Sequence, residues 1–215
     1  MEVSAKLDME ALEGKSFRSF KSTEQTIQAA LQLAFAGTGW TVAECTVTKK
    51  RTLSMTNVSA LDILKQALNT YRAEIKVNSK TQQIYIYESV GSDKGVYFTS
   101  QLNLKKLTVQ STSYDFYTEL EPYGKDGMTI ESVNNGKTYV ENHQYSSKVK
   151  RYIWKDERYT VAESLKEDAE AKLADMSRPY SSYSADVADL SRLTGGKYAI
   201  LSYSIGDTVT LMDGI

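Results

Sequence analysis

The sequence is poor in the residues that small proteins use for chemistry or for covalent stapling: among 215 residues there are one cysteine, one histidine and two prolines. A lone Cys45 excludes an internal disulfide, and cysteine poverty fits a protein made in the cytoplasm. One His and one Cys offer zinc at most two of its usual ligands, and no EF-hand spacing of carboxylates occurs, so no metal is expected. Charge of one sign is also lacking, because 26 basic and 27 acidic residues leave a formal net charge of -1. Nothing in that balance draws phosphate backbones or anionic lipid, and neither a specific nucleic acid nor a membrane is an expected partner. No apolar run approaches the roughly 20 residues of a membrane span, and the N-terminus lacks the basic-then-apolar order of a signal peptide. The chain therefore reads as one made and kept in solution. Gly195-Gly196-Lys197 has neither Walker spacing nor a strand-to-helix setting, and no cofactor is expected.

What is plentiful is tyrosine, at 15 residues. Its broad ring with a polar tip suits partly wet contacts between protein surfaces, so the composition leans towards assembly. The pattern of elements is mixed. Ser22 and Gln25 have capping-box spacing ahead of a helix whose stripe is Ile27, Ala30, Leu31, Ala34 and Phe35, ended by Gly37 and Gly39. Strands follow at Trp40–Val47 and Thr52–Thr56. A second helix starts at the Ser59 cap with Asp62 at its third position and Val58 as a staple to Ile63, and it turns Leu61, Leu64, Leu68 and Tyr71 inward. Residues 73–77 and 83–88 alternate as a hairpin with Ile75, Val77, Ile84 and Ile86 on one face. Gly91 to Gly95 is the best linker, which sets off a helix–strand–helix–hairpin domain at 22–92.

Beyond it, strands are expected at Leu102–Val109 and Tyr114–Tyr123, then a hairpin over 128–142, with strands Met128–Val133 and Lys137–Val140 about Asn135-Gly136. A helix over 160–177 opens on a Thr160/Glu163 capping box, carries Leu165, Ala169, Leu173 and Met176, and stops before Pro179. Further strands are expected at Tyr183–Val187, Lys197–Ile205 and Thr208–Met212. The closing Asp213-Gly214-Ile215 is a turn with no return strand, which reads as a truncation or as an edge that a neighbour completes.

Candidate catalytic groups are few. Cys45 falls on the apolar side of its strand and is expected as a core thiol, and His143 sits in a polar stretch as a surface histidine rather than a general base. Asp156 and Glu157 are adjacent rather than facing, which does not suit glycosidic cleavage. No catalytic, cofactor or metal residue is assigned. The segment KVKRYIWKDERY at Lys148–Tyr159 could stack single-stranded nucleic acid, but Asp156 and Glu157 interrupt it. Tyr, Trp and Arg are interface hot-spot residues, so Tyr152, Trp154, Arg158 and Tyr159 are expected at a protein interface.

The stretches YTELEPYGKDGMTIESVNNGKTYVEN (Tyr117–Asn142) and IWKDERYTVAESLKEDAEAKL (Ile153–Leu173) resemble the siphophage tail hub family, also called the prophage endopeptidase tail family. TGW at Thr38–Trp40, KKRTL at Lys49–Leu53 and SYSIGDTV at Ser202–Val209 resemble it in the same order. The resemblance implies an α+β, tail-hub-like fold: a small helix/strand domain plus an incomplete antiparallel β-barrel-like domain at 93–215 with one packed helix. Residues 1–21 would then be the residue of an upstream barrel, with the second barrel truncated at the C-terminus. It also implies a non-catalytic, trimeric baseplate hub in a phage or prophage virion tail. Its implied partners are further copies of itself, a distal tail protein or tail-tube ring, a tape measure protein and a downstream tip or receptor-binding protein. Peptidase activity in such proteins is associated with regions downstream of the hub. The alternatives are a peptidoglycan endopeptidase using His143 and acidic side chains such as Glu157, and a receptor- or glycan-binding module centred on Trp154.

Overall fold

A computed structural model describes residues 8–112, 116–178, 180–193 and 195–212. Its contacts divide the chain between Val90 and Gly91 into two units.

The first unit opens with a short helix α1 (Glu10–Gly14) and a long strand β1 (Ser16–Thr26), followed by α2 (Ile27–Phe35), β2 (Thr41–Cys45), β3 (Lys50–Ser59), α3 (Ala60–Tyr71), β4 (Glu74–Asn78) and β5 (Gln83–Tyr87). β1 pairs antiparallel with β3, and a second sheet has the order β2-β5-β4, with β2 parallel and β4 antiparallel to β5. Ile75 faces Ile86 and Val77 faces Ile84 across the β4–β5 ladder, as the alternation predicts. Helix α3 is also as read. The Ser59 hydroxyl accepts from the Asp62 amide at 3.1 Å, and the Asp62 carboxylate accepts from the Ser59 amide at 2.9 Å, which closes the capping box.

The start of α2 departs from expectation. Residues 22–25 continue β1, and Thr26 caps the helix by accepting from the Ala29 amide at 3.3 Å. Two motifs compete here, and the strand wins because the β1–β3 ladder runs through Phe20–Met55 and Ser22–Leu53. The ladder satisfies backbone groups that a helix begun at Ser22 would have to satisfy by itself. Residues set apart as the remains of an upstream barrel supply Leu12 and Phe20 to this unit's core, with Phe17 packed against it. In that core Leu12, Phe20, Leu31, Leu53, Ile63, Leu64, Ile84 and Ile86 all come together. Tyr71 is completely buried, and its hydroxyl donates to the carbonyls of Gln25 at 2.6 Å and Arg51 at 3.1 Å, which ties α3 to the end of the β1–β3 ladder. Burial pushes its phenol up to about 12. Cys45 is partly buried against the core, and burial pushes its thiol up.

The second unit contains β6 (Asp93–Thr99), β7 (Leu104–Thr112), β8 (Glu119–Tyr123), β9 (Val140–Glu141), β10 (Arg151–Lys155), α4 (Ala162–Met176), β11 (Tyr180–Val187), α5 (Leu190–Leu193) and β12 (Thr208–Met212). Helix and strand are mixed as expected, and among the described residues the strands form small separate sheets rather than a closed barrel. β7 pairs antiparallel with β11 and β6 parallel with β12, each as a two-stranded sheet, while β8 lies between β10 (parallel) and β9 (antiparallel). Pro122 is tolerated in the central strand because β9 pairs only with Glu119 and Leu120, which leaves one neighbour beside the proline.

Several local expectations are corrected. The linker residues Asp93 to Gly95 belong to β6. Asn135 and Gly136 do have positive φ, 52° and 79°, but their flanks are not a hairpin. Residues Glu131–Val133 form a 3-10 turn, and the Asn134 side chain binds the carbonyls of Lys137 and Tyr139. Ile130 is completely buried, so the segment folds inward around it instead of laddering. Helix α4 starts at Ala162 with Val161 at the cap position, one residue later than the Thr160 cap expected from the sequence. Its apolar stripe is correct, since Leu165, Ala169 and Leu173 are buried beside Leu120, Val140 and Tyr159. Residues 197–205 hold a 3-10 turn, Ala199–Leu201, in place of a strand, and β12 finds β6 rather than a hairpin partner. Tyr114, Pro179 and the turn at 213–215 lie outside the described residues.

Candidate functional site

The chemistry-bearing side chains of the second unit gather around β8, β9 and β10. Glu119 and Glu141 are directly opposite each other in the β8–β9 pair, so their side chains share a face. Two residues on, at the spacing that returns to the same side of an extended chain, stands His143. The ligand atoms of Glu119, Glu141 and His143 lie within 4.8 Å of one another, with Glu119 buried and the other two exposed. Each group has an outer partner. Arg151 binds the Glu119 carboxylate through Nε at 2.7 Å and Nη2 at 2.7 Å, Lys137 Nζ binds Glu141 at 2.9 Å, and His143 Nδ1 is 3.1 Å from the Ser146 carbonyl. Lys137 holds the Glu141 carboxyl below its ordinary range, and Glu119 strengthens the proton affinity of the Arg151 guanidinium.

Sequence reasoning treated His143 as isolated, because the Glu-x-His spacing was visible but the partner Glu119 comes from a strand 22 positions earlier and is known only from the register, Glu119 against Glu141. A groove beside β10 is lined by Tyr123, Gly127, Ile153, Lys155 and Glu157, and His143 is not among its walls. His143 and Glu157 therefore do not share this groove.

Of the residues expected at an interface, Tyr152 and Trp154 lie on the inner face of β10, and Arg158 and Tyr159 follow the strand. Tyr152 and Trp154 are half-buried against the second core, with Lys172 Nζ 6.0 Å and 5.5 Å from their ring centres. Arg158 folds onto Asp156, with Nε–Oδ1 at 2.8 Å and Nη2–Oδ2 at 2.6 Å. Tyr159 is buried, it stacks edge-on to Trp154 at 5.3 Å, and its hydroxyl donates to buried Asp168 at 2.7 Å. An aromatic with its polar tip satisfied inside is a core residue. The outward residues of β10 are Arg151, Ile153 and Lys155, and Ile153 is 58% exposed. The alternation along Arg151–Lys155 could have told the two faces apart.

Other exposed apolar side chains of this unit lie away from β10. Tyr183, Leu193, Ile200, Ile205 and Met212 are exposed, Ile205 by 96%. They belong to the region of the two small sheets, whose core, among the described residues, has Val96, Phe98 and Leu104 buried. No helix among the described residues is long and apolar enough to cross a membrane.

The fold resembles three solved structures: the 43 kDa tail protein of prophage MuSo2 from Shewanella oneidensis (13% identity, TM-score 0.63, covering 90% of this chain and 58% of that one), prophage tail protein gp18 from Listeria monocytogenes (16%, 0.62, 84% and 56%) and the tail protein from Neisseria meningitidis (9%, 0.60, 95% and 62%). The chain thus spans about three-fifths of the length of these neighbours. No curated protein matches it. Models of the prophage endopeptidase tail domain and the prophage endopeptidase tail match residues 16–86 and 92–214, one for each unit. With more than half of its length matched by a single family model, the chain belongs to the prophage endopeptidase tail family.

Proposed function

We propose that the chain is a structural, non-catalytic subunit of a trimeric hub at the tail tip, where it joins the tail tube to the tip. Family membership makes it a prophage tail protein; the hub position, the trimer and the partners are the proposal. The observation that carries it is the state of β6–β12 and β7–β11. Among the described residues each is a sheet of two strands, their shared core has Val96, Phe98 and Leu104 as its buried side chains, and Tyr183, Leu193, Ile200, Ile205 and Met212 are left in water. Two-stranded sheets are marginal alone, and open edges with apolar neighbours are stabilised by strands from another chain. An obligate ring typically buries about 2,000 Å² or more per interface. The tube ring or distal tail protein, the tape measure protein and a downstream tip or receptor-binding protein are the remaining partners, and assembly into the virion tail follows synthesis in the bacterial cytoplasm.

Light scattering across a concentration series tests this. Self-association to a trimer is expected, and Leu193→Lys with Ile205→Lys should weaken it by at least tenfold. A monomer at every concentration, or a trimer indifferent to both changes, overturns the proposal.

A hydrolytic reading has one observation in its favour, the meeting of His143 with two carboxylates. Against it, Glu119 is engaged by Arg151 on the same carboxylate, and His143 and Glu141 are exposed rather than sheltered in a cleft. Clearing of a murein gel by the chain that disappears in His143→Ala is the result that would favour it.

A further inference from the structure

We propose that Glu119, Glu141 and His143 form a binding site for one divalent transition-metal ion of the zinc type, fastening the segment after β9 to β8. The proposal does not depend on the hub reading.

Its first support is donor chemistry. Two carboxylate oxygens and one imidazole nitrogen suit zinc and its neighbours, whereas calcium takes six to eight oxygens and has no use for the ring. Its second support is preparation. The Ser146 carbonyl can only accept, so the 3.1 Å contact is donated by His143 Nδ1–H, and with Nδ1 so engaged Nε2 is the ring nitrogen left for a metal. Arg151 fixes Glu119 and Lys137 fixes Glu141 from outside the group in the same way. Ligands each oriented by an outer hydrogen-bond partner are the usual surroundings of a bound metal.

The fit requires little movement. Ligand atoms now within 4.8 Å must close to the spacing set by metal–ligand bonds of about 2.0–2.2 Å. Glu119 is held by burial, while exposed Glu141 and His143 can rotate to meet the ion. The loop from Asn142 to Lys150, already bonded to the start of β8 and the residue before it through contacts that include the Asn142 amide on the Thr118 carbonyl at 2.8 Å and Thr118 Oγ1 on the Lys148 carbonyl at 2.7 Å, gains a further anchor.

The test uses the tag-free chain stripped with EDTA and titrated with Zn²⁺ by calorimetry, with Co²⁺ absorption as a report on ligand type. One Zn²⁺ per chain is expected, with affinity reduced roughly tenfold or more in both His143→Ala and Glu141→Gln and unchanged in the remote Glu10→Gln. Zn²⁺ should raise the Tm of the parent and not that of His143→Ala. Because both altered residues are exposed, the variants should fold, which circular dichroism checks. The proposal is overturned by absence of stoichiometric binding, by loss in neither or only one variant, or by Ca²⁺ binding as tightly as Zn²⁺.

Discussion

At the scale of single residues, identical motifs have different fates. Ser59 and Asp62 form the capping box that their spacing announces, whereas Ser22 and Gln25 carry similar spacing and lie in β1. A capping box is a local device, and it operates only where the backbone has no better partner. Ser22 faces inward, 3% exposed, and its hydroxyl finds no hydrogen-bond partner among the described residues. Ser22→Ala should therefore leave stability unchanged or raise it, while Thr26→Ala, which removes the actual cap, should cost about 1 kcal/mol by urea unfolding. Tyr71→Phe should cost about 1–2 kcal/mol in the same assay, because it leaves the Gln25 and Arg51 carbonyls without their buried donor. The Tyr71 stripe position was legible from helical periodicity; its two carbonyl partners, far away in sequence, were not.

Elements with a clear period and a buried face were read correctly: α3, the stripe of α4 and the β4–β5 hairpin all depend on neighbours close in sequence. Errors gathered where pairing is long-range. Asn135-Gly136 adopts the backbone its residues favour, yet its flanks follow buried Ile130 rather than the turn. Ile130→Ala should accordingly cost about 2–5 kcal/mol by chemical denaturation, more than a side chain on the half-exposed face of a hairpin would. Asp207, read only as a turn residue, binds Lys94 Nζ at 2.5 Å and the amides of Ser92 at 3.1 Å and Ser204 at 2.8 Å, so it joins the start of β6 to the start of β12. These contacts, led by Lys94, lower its carboxyl from 3.8 to about 2. A folded-state value below the unfolded one gives stability that is full above about pH 4 and disappears as the pH falls towards 2. The gap in denaturation midpoint between the parent and Asp207→Asn should be present at pH 6 and shrink over that interval.

Over the whole molecule, the sequence carries the α+β character and the change of composition near residue 91, because each depends on hydrophobic pattern and turn chemistry summed over many residues. The Glu119–Glu141–His143 group was not visible, since it exists only once β8 and β9 are in register. Aromatic content alone does not say which face of β10 is inside, and in this chain Ile153 is exposed while Tyr159 is buried.

The β6–β12 pair has a consequence for biosynthesis. Its two strands stand at opposite ends of the second unit, as the 115-residue separation of Ser92 and Asp207 records. At translation rates of about 5–20 residues per second, β6 leaves the ribosome roughly 6–23 s before its mate exists. During that interval Val96 and Phe98 are unsheltered on a nascent strand, and a polysome crowded with copies of the same message is where mispairing between neighbouring chains should begin.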